Sequence, residues 1–250
     1  MANQASATIV YDFEKLLQYV AENKIALTPK QSLIPLRHIK AITDQFQIKE
    51  IHEHHIGSKI FKKRDEMEYE RLYFLDLLAV GSSFLKITGR NMLAKGAHWK
   101  TFFAAEPRER GFLIFYGFRH GFNLDAWLSR GGDFGEQLEE NAEQIWARVL
   151  HWRDEKVVDW KSWAKDTILN CCIHWNSPNQ TFANDLAIWG LEYCFLKPLE
   201  YFGLVEVERD GGEFARLKSF QLNPTGCDYF SKILRKSGHF FAAASPFSLN

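Results

Sequence analysis

Between Leu72 and Leu78 every residue except Asp76 is apolar. A helix through this stretch is apolar nearly all round, and such a helix persists only where other elements cover every side of it. The chain must therefore wrap a layer of structure around this one segment. It has the material: apolar residues make up 46% and aromatics 15%, with 21 Phe and 8 Trp. Rings of that number bury large areas at little entropic cost and leave surface for a partner. A length of 250 residues accommodates one large domain or two ordinary ones.

Lys and Arg total 31, as do Asp and Glu, so the formal charge is zero. A neutral chain has no global field drawing it to nucleic acid or anionic lipid, and any such attraction must come from a local patch. The cysteines, Cys171, Cys172, Cys194 and Cys227, are few and two are adjacent, which reads as buried reduced thiols rather than a disulfide framework. The opening MANQASATIVYDFEK lacks a basic segment followed by an apolar run, so no signal peptide is expected. No stretch approaches the roughly 18 apolar residues of a membrane span. The expected location is cytoplasmic, with no membrane partner.

Periodicity places a first helix from Asp12 to about Asn23, with Phe13, Leu16, Leu17 and Val20 on one face. Ile25 to Leu27 reads as a short strand, and Pro35 opens a second helix burying Leu36, Ile39, Ile42 and Phe46. Residues 49–63, of mixed charge with three histidines, read as a loop, and a third helix runs from about Asp65 to Val80. Ser83 to Ile87 follows as a strand, with Thr88 as N-cap of a helix carrying Met92 and Leu93. A buried helix is expected through Phe112 to Tyr116. Asp133 and Glu136 form a capping box for one amphipathic helix reaching Trp152. Helices from Trp163 to Trp175 and from Asp185 to Pro198 come next, the second kinked by its proline. A hairpin turning at Asp210-Gly211-Gly212 and a closing helix capped by Thr225 end the ordered chain.

Helix, helix, long apolar helix, strand or hairpin, then Thr-Gly before one more helix: this order occurs twice. The local echo is Ser83-Phe84-Leu85-Lys86-Ile87-Thr88-Gly89 against Ser219-Phe220-Gln221-Leu222-Asn223-Pro224-Thr225-Gly226. The pattern resembles the winged-helix superfamily, helix-turn-helix units whose last helix is followed by a β-hairpin wing. The resemblance implies a mainly α, α+β fold of two winged-helix-like units with small hairpin wings, joined by a helical linker. The expected bounds are 8–104 (with a truncated wing), a linker over 105–160, a second unit over 161–238 and a loose tail over 239–250.

In a helix-turn-helix the helix before the wing enters the major groove. Here those segments carry net acid: residues 64–80 hold Asp65, Glu66, Glu68, Glu70 and Asp76 against Arg64 and Arg71, and residues 184–202 hold Asp185, Glu192 and Glu200 against Lys197. Acid facing phosphate forfeits the counterion release that drives DNA binding. The expected role is therefore a non-catalytic protein-interaction or dimerisation module in an intracellular assembly, its partner a second copy or another protein. The alternative is a DNA-binding transcriptional regulator using basic loop and wing residues, Lys59, Lys62, Lys63, Lys86, Arg90 and Lys95, with nucleic acid as the partner.

Other chemistry is weaker. His52, His54 and His55 lack a completing ligand set, and Cys171 and Cys172 point about 100° apart on a helix, so neither group is expected to hold a metal. Gly131 to Gly135 lacks the Lys-Ser/Thr of a phosphate cradle. Arg119, His120 and Asp125 form a trio of the acid-base type, but no nucleophile signature accompanies it. No catalytic residue, metal or cofactor is expected.

Overall fold

The computed structural model describes residues 2–56, 59–129, 132–154, 156–211 and 216–236. The chain is mainly helical and divides into two compact units, one of Ser6–Trp127 and one from Leu128 onward with Met1–Ala5. Residues 105–160, read as a linker, are shared out: those up to Trp127 belong to the first unit and those from Leu128 to the second. The tail over 239–250 lies outside the described residues.

α1 (Ala2–Glu22), which belongs to the first unit from Ser6 on, starts ten residues earlier than the sequence suggests, with Phe13, Leu16, Leu17 and Val20 buried as expected. Ile25 to Leu27 makes a bridge rather than a full strand, Ala26 pairing antiparallel with Met92. α2 (Leu36–Thr43) follows Pro35 and buries Ile39 and Ile42, with Phe46 buried just beyond, but leaves Leu36 exposed.

The expected loop at 49–63 is instead an antiparallel hairpin, β1 (Glu53–Ile56) with β2 (Lys59–Lys62). Every residue of β2 is exposed. A strand that buries neither face carries no hydrophobic alternation, so periodicity had nothing to register.

α3 (Glu70–Gly81) starts five residues later than Asp65, after a 3-10 turn at Glu66–Glu68. Its opening amides are met from outside the helix: Glu50 Oε1 accepts the N–H groups of Arg71 at 2.8 Å and Leu72 at 3.2 Å. A carboxylate there satisfies orphan donors and favours the positive end of the helix dipole. As its composition demands, α3 is buried on nearly every side, from Arg71 through Asp76 and again at Leu78 and Ala79.

Beyond α3 lie β3 (Leu85–Ile87) and β4 (Leu93–Lys95), an antiparallel hairpin. Thr88 opens no helix. Asn91 takes a left-handed φ of 53° and closes a turn in which the Asn91 N–H donates to Thr88 O at 2.9 Å. Residues 85–95, expected to hold almost no wing, therefore form a short hairpin. The unit is completed by α4 (Trp99–Ala104), α5 (Pro107–Gly121, the expected buried helix) and α6 (Leu124–Leu128). Phe74 of α3 lies 5.1 Å from Phe122 and 5.4 Å from Trp127, so these last helices supply the cover that α3 needs.

In the second unit the single helix expected over 133–152 is broken. α7 (Asp133–Glu140) and α8 (Ala142–Leu150) meet at Asn141, and a 3-10 turn spans His151–Asp154. The capping box does not form: Gly132 is the N-cap, Asp133 is already helical, and no side chain caps the end. β5 (Val158–Asp159) leads into α9 (Trp160–Asn170), where Asp159 Oδ1 accepts the Ser162 N–H at 2.8 Å.

α10 (Gln180–Leu191) is capped by Asn179 and runs through a π turn at Glu192–Leu196 into α11 (Lys197–Tyr201). The expected disturbance at Pro198 takes this form, since a proline ring displaces the carbonyl one turn back and a widened turn accommodates it. β6 (Val205–Arg209) and β7 (Leu217–Leu222) form the expected hairpin, and β5 pairs with β7 to give the order β5-β7-β6. α12 (Pro224–Lys236) closes the unit. Its cap is Asn223 rather than Thr225: Asn223 Oδ1 accepts the Gly226 N–H at 3.0 Å while its Nδ2 donates to Gly203 O at 2.7 Å.

The two units repeat one strand arrangement. In each, a segment preceding the helix pair lies antiparallel to the later hairpin: Ala26 bridges to Met92, just before β4, and β5 pairs with β7. The sequence echo nevertheless joins unlike elements, because 85–87 is the first hairpin strand of its unit and 219–222 belongs to the second strand of the other.

Candidate functional site

The outer face of α10 and the turn that follows it carries aromatic rings. Phe182 is 56% exposed and Trp189 46% exposed. Trp189 stacks on Tyr193 with centroids 5.2 Å apart, and Trp175 meets Trp189 edge-on at 6.2 Å. Lys197 Nζ lies 4.9 Å above the Tyr193 ring and 6.0 Å from Tyr201. Two acids of this segment are neutralised locally, Arg209 of β6 holding Glu192 at 2.7 Å and Glu200 at 2.8 Å, while Asp185 of α10 is exposed. What remains outward is a ladder of half-exposed rings, held apart by the helical period, with the Asp185 carboxylate on the same face between Phe182 and Trp189. The sequence reading missed Phe182 because it began the helix at Asp185. Spacings of 7 and 4 between Phe182, Trp189 and Tyr193 were the available signal.

The corresponding helix of the first unit, α3, has no such face, being covered. Of the acids on α3 and the turn before it, Glu66 and Asp76 turn into the core, against the outward placement expected, while Glu68 is exposed. Burial raises the pKa of both inward carboxyls, Asp76 to about 7. The obstacle to groove reading by α3 is therefore cover more than charge.

The basic residues of the alternative reading fall on two hairpins. Lys59 and Lys62 stand exposed on β2, with Lys62 Nζ 3.8 Å from Glu53. Lys63 is buried, its Nζ 3.3 Å from Glu50 and 4.4 Å from the Tyr69 ring centroid, so it is committed to an internal ion pair. On the second hairpin Lys86 pairs with Ala94 and Lys95 with Leu85, which places Lys86 and Lys95 on opposite faces of the ribbon. Arg90 is exposed in the turn between, and Lys95 Nζ sits 5.0 Å over the Trp99 ring.

Other candidates disperse. His52 lies 3.4 Å from the Tyr69 hydroxyl and 3.7 Å from Asp44, and the side chains of His54 and His55 lie outside the described residues. Among the described residues no group of His, Cys, Asp and Glu is arranged to hold a metal. Cys171 and Cys194 are buried, and burial pushes the Cys171 thiol up. Cys172 is exposed at φ 52° just past α9, not the core filler expected of it. His120 packs on Tyr116 at 4.3 Å, and Asp125 is exposed on α6. No helix among the described residues is long and apolar enough to cross a membrane. The chain matches no protein-family model, no curated protein and no solved structure.

Proposed function

We propose that this chain is a tandem winged-helix-like protein acting without catalysis, as a protein-interaction or dimerisation module of an intracellular, cytoplasmic assembly. The order in each unit supports the winged-helix reading: two helices (α2 and α3, or α9 and α10) and then a hairpin (β3–β4, or β6–β7). The observation that carries the interaction reading is the α10 face, where Phe182, Trp189 and Tyr193 stand where a groove-reading helix presents basic and polar groups. Aromatic anchors on a rigid helix are the usual centres of protein interfaces.

Sedimentation across micromolar concentrations tests self-association. The expected result is a concentration-dependent dimer that Trp189→Ser weakens by about tenfold or more, the range of an aromatic anchor. A chain that stays monomeric throughout removes the dimer. The reading then rests on another protein as partner.

DNA binding is the second reading, favoured by the exposed Lys59, Lys62, Lys86, Arg90 and Lys95 on the two hairpins of the first unit. It predicts duplex retardation that falls steeply with salt and weakens further on neutralising Lys62, Lys86 and Arg90. Absence of retardation at low salt dismisses it.

A further inference from the structure

Beneath α3, in the first unit, two carboxyl groups meet with no cation between them. Glu66 is 0% exposed and Asp76 6% exposed. Glu66 Oε2 accepts the Ile34 N–H at 2.5 Å, tying the segment before α2 to the turn before α3. Its other oxygen, Oε1, is buried with no donor in reach, as are Asp76 Oδ1 and Asp65 Oδ1. The two carboxyls are nonetheless within hydrogen-bonding reach of each other. Two carboxylates accept only, and a contact between them requires a proton.

The neighbours add no relief. Asp65 bears on Glu66 from the same turn, and Tyr73 of α3 feels Glu66, Asp76, Asp65 and Asp125 of α6 as repulsive charge. Two cations of these segments serve other carboxylates: Arg71 Nε is 2.6 Å from Asp12 of α1, and Lys63 holds Glu50. A buried carboxylate pair in such surroundings is strongly disfavoured in its doubly charged form.

We propose that Glu66 and Asp76 hold one shared proton, and that its release to solvent loosens the anchorage of Ile34, the 3-10 turn and α3, making the first unit a proton-sensitive switch. The direction follows from linkage. Both carboxyls are raised in the folded state, so the folded chain binds more protons than the unfolded one between the ordinary carboxyl range and about pH 7. The stabilisation is complete below that window and is lost as pH rises through it.

Amide hydrogen exchange of the full chain between pH 5 and pH 8, corrected for intrinsic base catalysis, is the test. Protection at Ile34 and at residues 66–76 should fall by about tenfold per pH unit between pH 5 and 7, the slope of one linked proton. In the double variant Glu66→Gln with Asp76→Asn, which keeps donors and removes both carboxyls, that slope should vanish. Should this variant not fold, infrared detection of the protonated carboxyl band in the wild-type protein, and its change in Glu66→Gln, decides the same question. Flat protection across the range in the wild-type chain, or no protonated carboxyl at pH 6, overturns the proposal.

Discussion

Gly81 and Gly121 face one another where α3 and α5 cross, each so close to the other's carbonyl that a Cβ on either would fall inside any real contact distance. The close approach lets α5 lie directly on the apolar central helix. Gly81→Ala or Gly121→Ala must therefore push two backbones apart, with no flexible side chain to yield. The expected loss is about 3 kcal/mol, at the upper end of overpacking costs, and urea unfolding monitored by circular dichroism measures it.

Asp12 and Arg71 form a buried pair, with Asp12 also accepting the Gln47 N–H. Arg71→Met strands the carboxylate in the core and should cost about 3–5 kcal/mol, whereas Asp12→Leu combined with Arg71→Met should restore much of that. Thermal midpoints of the two variants decide whether stranded charge or lost attraction dominates.

Asn223 bridges α12 and the turn at Gly203, so Asn223→Ala removes a helix cap and leaves a buried carbonyl without its donor. A loss of about 2 kcal/mol is expected from the two effects together. Thr225→Ala, the position that the sequence suggested as the cap, should change stability by less than about 0.5 kcal/mol.

Cys172 occupies the left-handed position that ends α9, with the Ile173 N–H closing back on Ile168 O at 3.2 Å. Glycine adopts that φ without strain, and Cys172→Gly should stabilise the chain by about 0.5–1 kcal/mol in the same unfolding experiment.

The Tyr73 hydroxyl donates to Ala126 O at 2.8 Å, and burial with surrounding acids pushes its pKa up to about 12. Its folded form retains the proton where an unfolded tyrosine loses it, so this contribution is complete below about pH 10 and disappears toward pH 12. Comparing ultraviolet phenolate titrations of wild type and Tyr73→Phe should place the missing transition at that alkaline end.

How far the chain could be read depended on how strongly burial patterned each segment. The core faces of α1, α3 and α5 were legible because Phe13, Leu72 and Ile114 recur at helical spacing or crowd every side. The β6–β7 hairpin was legible from alternation and turn residues. The β1–β2 hairpin was not, since Ile60 and Phe61 are both exposed and no face distinguishes them. Helix starts failed where a distant group supplies the cap, as Glu50 does for α3. Phe182 fell before the expected helix start at Asp185, and the exposure of Trp189 was not legible, because a one-dimensional pattern does not say which apolar residues stay uncovered.

By itself, then, the amino-acid order determined that the molecule is mainly helical, that a central apolar helix needs cover, and that an order of helices and hairpin occurs twice. Only the folded arrangement decided that Glu66 and Asp76 face inward, that Lys63 is spent on Glu50, and that the α10 rings face water. The reason is physical: local spacing sets which residues share a face, but which face is buried depends on elements far away along the chain.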